Sequence, residues 1–445
     1  RCASRGRTCR NYGVATDEAS LGSRWLAPMT TDKMGWNATF SMAVGGMIGG
    51  GIFSVLGVVV DIAGAWAWLS FVIGGAIALL TATSYVRLAT EFGEGGGAFT
   101  FLREVGHRRA AGRLSWVLLG GYVVTTAVYA FTFGHYLADV VGGGALVARA
   151  LAVAIMAALV AINVRGVGES ATFEIVAVWA KLLVLGLLAA AGLARWVPER
   201  LGEGVSTGSF GNAVIGAAAI FMAFEGFQLL TYDYDDMDDP GRTLRWAVLP
   251  AVVVVTVVYV TVALGAAMLI GAGTLVAQRE IALAAAGEEV AGLAGKVAVS
   301  LAAALSAGSA INATLFATGR LAKRVASDGD LPRSLAATNE RGVPRTAILV
   351  LGAAGTVLAA IGGLGSLVEA ASLTFLLTFA GVNALAAARL PGLRSLAVLG
   401  ALGAGGAAIP AAWRLATTQP FALAFLGLLV ATAVARPVLL QRIGD

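Results

Sequence analysis

The sequence predicts an all-α polytopic membrane protein with twelve transmembrane helices, ten of them forming two five-helix sets related as an inverted repeat. Three observations predict it. Of 445 residues, 58% are hydrophobic and only 13% charged, where a soluble domain carries about a quarter charged residues; mean hydropathy is +0.82. Apolar stretches of about 20 residues, the length that crosses a hydrocarbon core about 30 Å thick, recur along the whole chain. Two of them, in corresponding places of the two halves, are interrupted at glycine, the sequence pointer to an inverted-repeat architecture with a site near the midplane.

In chain order the spans read 36–60, 65–90, 114–138, 145–164, 170–194, 211–233, 245–271, 294–318, 346–362, 366–388, 395–413 and 420–440. Residues 1–33 read as an Arg-rich cytoplasmic tail, or as sequence upstream of a start at Met29 or Met34. Residues 34–200 hold helices 1–5, 201–390 helices 6–10, and 391–445 helices 11 and 12 with a short cytoplasmic C-terminus. The distribution of basic residues sets the orientation. With both termini in the cytoplasm of a plasma membrane, the inside segments hold 24 Lys and Arg and the outside segments 6; without the tail the ratio is 18 to 6. The net charge of +5 is therefore read as topology. No basic tract interleaved with aromatics points to nucleic acid, so the expected partners are the lipid bilayer and a small solute. Cys2 and Cys9 lie in the tail with no further Cys or His near them, which argues against a metal or disulfide role.

The first span contains Gly45-Gly46-Met47-Ile48-Gly49-Gly50-Gly51-Ile52-Phe53. Five glycines there cost several kcal/mol of helix propensity, at about 1 kcal/mol each. Unwound backbone within a membrane is tolerated where it lines a cavity or is buried in protein. Amides freed at the start of a half-helix suit an anion, and Gly50 and Gly51 permit close approach; simple helix packing by glycine is the competing reading. The sixth span contains Ala223-Phe224-Glu225-Gly226-Phe227, about 175 residues further on. A carboxylate at mid-membrane is costly and faces a cavity or a partner. Glu225 is thus a candidate to hold a substrate ammonium, carry a proton or select a cation, against a structural ion pair. Lys181, in the middle of the fifth span, is either a stand-in for a bound cation that exchanges protons or a charged structural post. Glu174 lies two turns before it.

Other signals are weaker. His107 and His135 have no metal-ligand company. Tyr122, Tyr129, Phe131 and Tyr136 on the third span line a pocket or simply pack. Asp233, Asp235, Asp236, Asp238 and Asp239 read as solvated or paired with Arg242 and Arg245. No nucleophile elbow, P-loop or dinucleotide fingerprint is present, so an enzyme is not expected.

Taken together, the motifs resemble those of the amino acid–polyamine–organocation (APC) superfamily, specifically its amino-acid permeases, over roughly residues 34–440. Gly46-Met47-Ile48-Gly49-Gly50-Gly51-Ile52-Phe53 is similar to the family's first-helix signature G-x-I-G-x-G-I-F. Gly95-Gly96-Gly97-Ala98-Phe99-Thr100-Phe101-Leu102-Arg103 resembles its G-G-x-Y-x-Y-x-R segment with Phe in place of Tyr. Phe224-Glu225-Gly226-Phe227 resembles the sixth-helix motif. Asp239 through Ala247 is similar to N-P-x-R-x-I-P-R-A, with Leu244 where the second proline stands. Arg320 through Pro332 resembles R-x-x-x-x-x-A-x-D-G-x-L-P.

The resemblance implies a LeuT-like fold: ten core helices in a 5+5 inverted repeat with broken helices 1 and 6, plus two peripheral helices. It implies substrate binding by Gly45, Gly46, Ile48, Gly49, Gly50, Gly51, Met222, Ala223, Phe224 and Glu225. The substrate carboxylate would meet the amides of Gly49–Gly51, and its amino group the carbonyls near Gly45–Gly46 and Met222–Phe224. Lys181 falls where related proton-coupled permeases carry a lysine in place of a sodium ion, with Ser309 as its neighbour. No cofactor is implied; protons are the coupling ion. Glu225 departs from the apolar residue common in the motif, which opens substrates other than neutral amino acids. The expectation is a proton-coupled amino-acid symporter working by alternating access. Its alternatives are an amino-acid or polyamine exchanger, since some exchangers share the lysine, a cation transporter using Glu225, and, in another class, a non-transporting nutrient receptor.

Overall fold

The structure, a computed structural model, describes residues 33–166 and 171–443, with side chains for 33–166 and 175–435. Cys2, Cys9 and the tail before Lys33 lie outside the described residues, as does the side chain of Glu174. From Met34 onward the chain forms one compact unit.

Helix α1 (Trp36–Ile48) is followed directly by α2 (Gly51–Ala63), and a 3-10 turn at Gly64–Trp66 leads into α3 (Ala67–Phe92). Then come α4 (Gly97–Glu104), α5 (Arg108–Val140), α6 (Ala145–Val164) and α7 (Ala171–Ala194). α8 (Phe210–Ala219) gives way to 3-10 segments at Phe221–Phe224 and Phe227–Asp236. The rest is α9 (Pro240–Ile270), α10 (Ala272–Ala277), α11 (Ala282–Ser327), α12 (Arg345–Ile361), α13 (Leu364–Arg389), α14 (Arg394–Thr418) and α15 (Pro420–Ile443). Among the described residues, eight helical stretches are long and apolar enough to cross a membrane, Trp36–Phe92 counting as one; a ninth arises if α8 and the segments after it, bent by 62°, are one span. Arg345–Ile361 and Pro420–Ala435 are shorter apolar helices. The described residues form no β-strand, only an isolated bridge between Met34 and Met237.

Three elements differ from the sequence reading. α4 falls in a stretch read as loop: Gly96 and Gly97 take φ of +121° and +59°, turning the chain so that Ala98, Phe99 and Phe101 are buried. At eight residues it is too short to register as a span. α10 and the first turns of α11 likewise fill a supposed loop, and α11 is interrupted at Ala291 and Gly292. The third difference lies in the sixth span, whose expected interruption begins ahead of the Ala223–Phe227 stretch, the α-helix ending at Ala219.

Helix packing relies on small residues, which let backbones approach where lipid supplies no hydrophobic drive. Gly192 of α7 faces Gly265 of α9, and a Cβ on Gly265 would sit 2.8 Å from the Cα of Ala189. α5 is central, packing on α6, α11, α12 and α13. Where α3, α4 and α11 converge, ion pairs fasten the connections. Arg103 pairs with Asp328, Arg324 donates to the Gly95 carbonyl at 2.5 Å and Arg320 pairs with Asp233. The acidic run is thus engaged by α11, at Asp233 and, at 3.8 Å, Asp236, rather than by Arg242 or Arg245 as the sequence suggested.

Candidate functional site

The two interrupted spans lie against each other. At the first, Gly49 leaves helical geometry (φ −16°, ψ −98°) and α2 restarts at Gly51 with no side-chain cap. Helix geometry leaves the first amides of α2 without intrahelical acceptors. The carbonyls at the end of α1 find partners from three other helices. Tyr259 of α9 lies 2.6 Å from the Met47 oxygen, Ser306 of α11 donates to Ile48 at 3.3 Å, and Lys181 of α7 donates Nζ to Gly45 at 3.3 Å. Buried carbonyls require such partners, and each one ties the break to a different helix.

At the second break the backbone runs through 3-10 turns at Phe221–Phe224 to an extended Glu225 (φ −70°, ψ 148°). It then passes Gly226 at φ +129°, a conformation open to glycine and strained for other residues. Ser372 of α13 bridges the gap, accepting from the Met222 amide at 3.0 Å and donating to the Ala219 carbonyl at 2.8 Å. Gly226 also makes a close approach between the breaks: a Cβ on Gly46 would lie 3.2 Å from its Cα. The Tyr259 hydroxyl, 2.8 Å from the Ala223 carbonyl as well as near Met47, shares its single proton between the two broken spans. At one end the spans are also sewn by backbone bonds, Met34 N–H to Asp236 O at 2.9 Å and Asp238 N–H to Met34 O at 3.1 Å.

Glu225 is 1% exposed. Tyr129 of α5 donates to one carboxylate oxygen at 3.2 Å and Gln228 to the other at 2.9 Å. No cation pairs with it among the described residues. Its hydrogen bonds continue from Gln228 to the Tyr122 hydroxyl at 3.3 Å and on to Tyr232 at 3.2 Å. Tyr129 also covers the first break: a Cβ on Gly50 would clash with the edge of its ring, and one on Gly51 would meet the Tyr259 hydroxyl.

Gly45, Gly46, Ile48, Gly49, Gly50, Gly51, Met222, Ala223, Phe224 and Glu225 are therefore brought together as neighbours, all buried except the half-buried Gly46, with Lys181 reaching Gly45. Ser309 lies on the same helix as Ser306, one turn further, 7% exposed. The glycines serve packing in this arrangement, against Gly226, Ala310, Tyr129 and Tyr259. Sequence reasoning passed over Tyr259, Ser306, Ser372 and Gln228. Each is one of several polar residues in a largely apolar helix or turn, and only its distance from a broken backbone reveals its use. His107 and His135 stay apart from this cluster, and the described residues contain no group of three metal-ligating side chains.

Residues 34–432 match the amino acid permease family. The chain belongs to that family. Among relatives of the permease, an uncharacterized protein of Methanocaldococcus jannaschii is 31% identical over 67% of this chain and 69% of its own. The inner membrane transport protein YbaT of Escherichia coli is 29% identical over 78% of this chain and 81% of its own. The crystal structure of MhsT in complex with L-phenylalanine shares the fold, with a TM-score of 0.60 and 14% identity over 85% of this chain and 100% of that one. The permease is thus an APC-superfamily transporter with a LeuT-like fold and several membrane-spanning helices, and not an enzyme.

Proposed function

We propose that this permease is a proton-coupled amino-acid symporter of the plasma membrane that works by alternating access. The observation that carries the reading is the meeting of the two broken spans around one buried cluster, with the Lys181 ammonium on a carbonyl of the first. In this reading twelve spans comprise two inverted five-helix repeats, residues 34–200 and 201–390. Helices 11 and 12 (391–445) are peripheral, and both termini face the cytoplasm. A substrate carboxylate docks on the amides at the start of α2, where the helix dipole favours an anion, at Gly49, Gly50 and Gly51. Its amino group meets carbonyls of Gly45, Gly46 and Met222–Phe224 and, for cationic side chains, Glu225. Lys181 with Ser309 occupies the place of a coupling cation, so that the proton replaces sodium. Because the Tyr129 ring lies over Gly50, substrate entry requires that ring to swing aside and to release Glu225.

The test is uptake of radiolabelled amino acids by the purified permease in liposomes. Wild type is expected to accumulate substrate when the outside is acid, and Lys181→Ala to equilibrate it without concentrating it. Undiminished accumulation by the variant under the same gradient would remove the coupling role of Lys181. Accumulation that needs internal amino acid but no gradient would make the protein an exchanger. In the same liposomes Glu225→Gln is expected to lose discrimination between cationic and neutral amino acids. Unchanged competition by the two classes would take Glu225 out of the substrate site.

A further inference from the structure

Away from the broken spans, the start of α5 forms one wall of an open groove of about 820 Å³, whose other walls come from α13 and α15. Along α5 its lining changes from basic to apolar. Gly106, His107, Arg108, Arg109 and Arg113 stand at one end, and Leu114, Val117, Leu377, Val430 and Val434 line the remainder. α5 carries no Asp, Glu, Lys or Arg between Arg113 and Asp139, so Arg113 marks the level at which this helix enters the apolar layer. Arg108, Arg109 and Arg113 are exposed and make no ion pair among the described residues. Arg389, also exposed, reaches the Val105 carbonyl at 3.5 Å beside them. The only carboxylate close in sequence is Glu104. The apolar walls are open as well: Leu377 is 52%, Val430 46% and Val434 52% exposed.

We infer that this groove is a binding site for an anionic phospholipid. Its phosphate would sit among Arg108, Arg109 and Arg113 and an acyl chain would lie along Leu114, Val117, Leu377, Val430 and Val434. The chemistry is complementary at both ends. Clustered guanidiniums bind phosphate oxygens bidentately, and basic pockets between helices at the membrane boundary hold acidic headgroups. A free anion would leave the apolar walls uncovered, and a neutral lipid would leave the arginines without a counter-charge. The inference depends on the chain spanning a membrane and not on what it transports, so it stands or falls apart from the symport reading.

Native mass spectrometry of the full chain released from vesicles of equal phosphatidylglycerol and phosphatidylcholine tests it. Wild type is expected to retain phosphatidylglycerol preferentially, and Arg108→Gln/Arg109→Gln/Arg113→Gln to lose at least about tenfold of that retention. Val434→Glu, which puts a carboxylate on the apolar wall where the acyl chain would lie, is expected to lose it too. Arg242→Gln/Arg245→Gln, which alters exposed charges elsewhere, is expected to behave as wild type. Equal retention of both lipids by wild type would overturn the site. So would phosphatidylglycerol held undiminished by the triple variant or by Val434→Glu, or an equal loss in Arg242→Gln/Arg245→Gln. Displacement of the lipid by millimolar inorganic phosphate would show an anion site without a lipid and equally end the proposal.

Discussion

Gly50 and Tyr129 define the tightest junction of the cluster, because a Cβ on Gly50 would clash with the edge of the phenol ring. Overpacking a closed interior costs about 1–3 kcal/mol. Gly50→Ala should therefore lower the melting temperature in detergent and depress transport. Removing the obstructing ring in Gly50→Ala/Tyr129→Ala should return part of the lost stability, a sign reversal that simple additivity does not give. If the double variant melts lower than the sum of the singles, Tyr129 does not fill the space next to Gly50. The glycine run itself was legible in sequence, since five glycines in seven residues contradict an uninterrupted helix. What fills the space beside each glycine was not, because an aromatic residue on α5 gives no sign of its reach to α1. The same limit hid Tyr259 and Ser372: a hydroxyl in an apolar helix commonly bonds its own backbone one turn back, as Thr132 and Thr374 do here.

At the scale of elements, the second broken span is held at its far end by α11 through the pairing of Arg320 with Asp233, which is only 9% exposed. Hydrogen bonds to charged groups contribute about 1.5–3 kcal/mol when removal strands a buried partner. The Arg195–Glu289 pair, at 3.5 Å with both side chains about half exposed, belongs to the class that contributes about 0–1 kcal/mol. Arg320→Gln should thus destabilise the protein clearly more than Arg195→Gln in parallel thermal melts. Equal shifts would mean that solvent screens Asp233 as effectively as the surface pair. The eight long helical stretches among the described residues were readable from hydropathy because each holds a long apolar run. α4, α10 and the 3-10 turns of the second break were not, since short elements whose form is set by Gly96, Gly97 and Gly226 leave no periodic trace.

For the molecule as a whole, the orientation proposed from charge asymmetry can be tested on the last helical pair. α14, of 25 residues, is about 37 Å long at 1.5 Å per residue, enough to carry its two ends to opposite faces of a hydrocarbon core about 30 Å thick. Its first residue is Arg394 and its last Thr418, both exposed. The positive-inside pattern puts Arg394 with the cytoplasmic arginines; Thr418 would then lie outside. The only native cysteines are Cys2 and Cys9, so a background with both changed to serine reports single introduced thiols cleanly. A membrane-impermeant maleimide added to intact cells should label Thr418→Cys and should reach Arg394→Cys only after permeabilisation. Labelling of Arg394→Cys alone in intact cells would invert the topology, moving the Arg108–Arg113 cluster to the outer face with it. Labelling of both would mean that α14 does not cross. The first outcome would leave twelve spans but put both termini outside, and the second would remove one crossing and put the two ends of the chain on different sides.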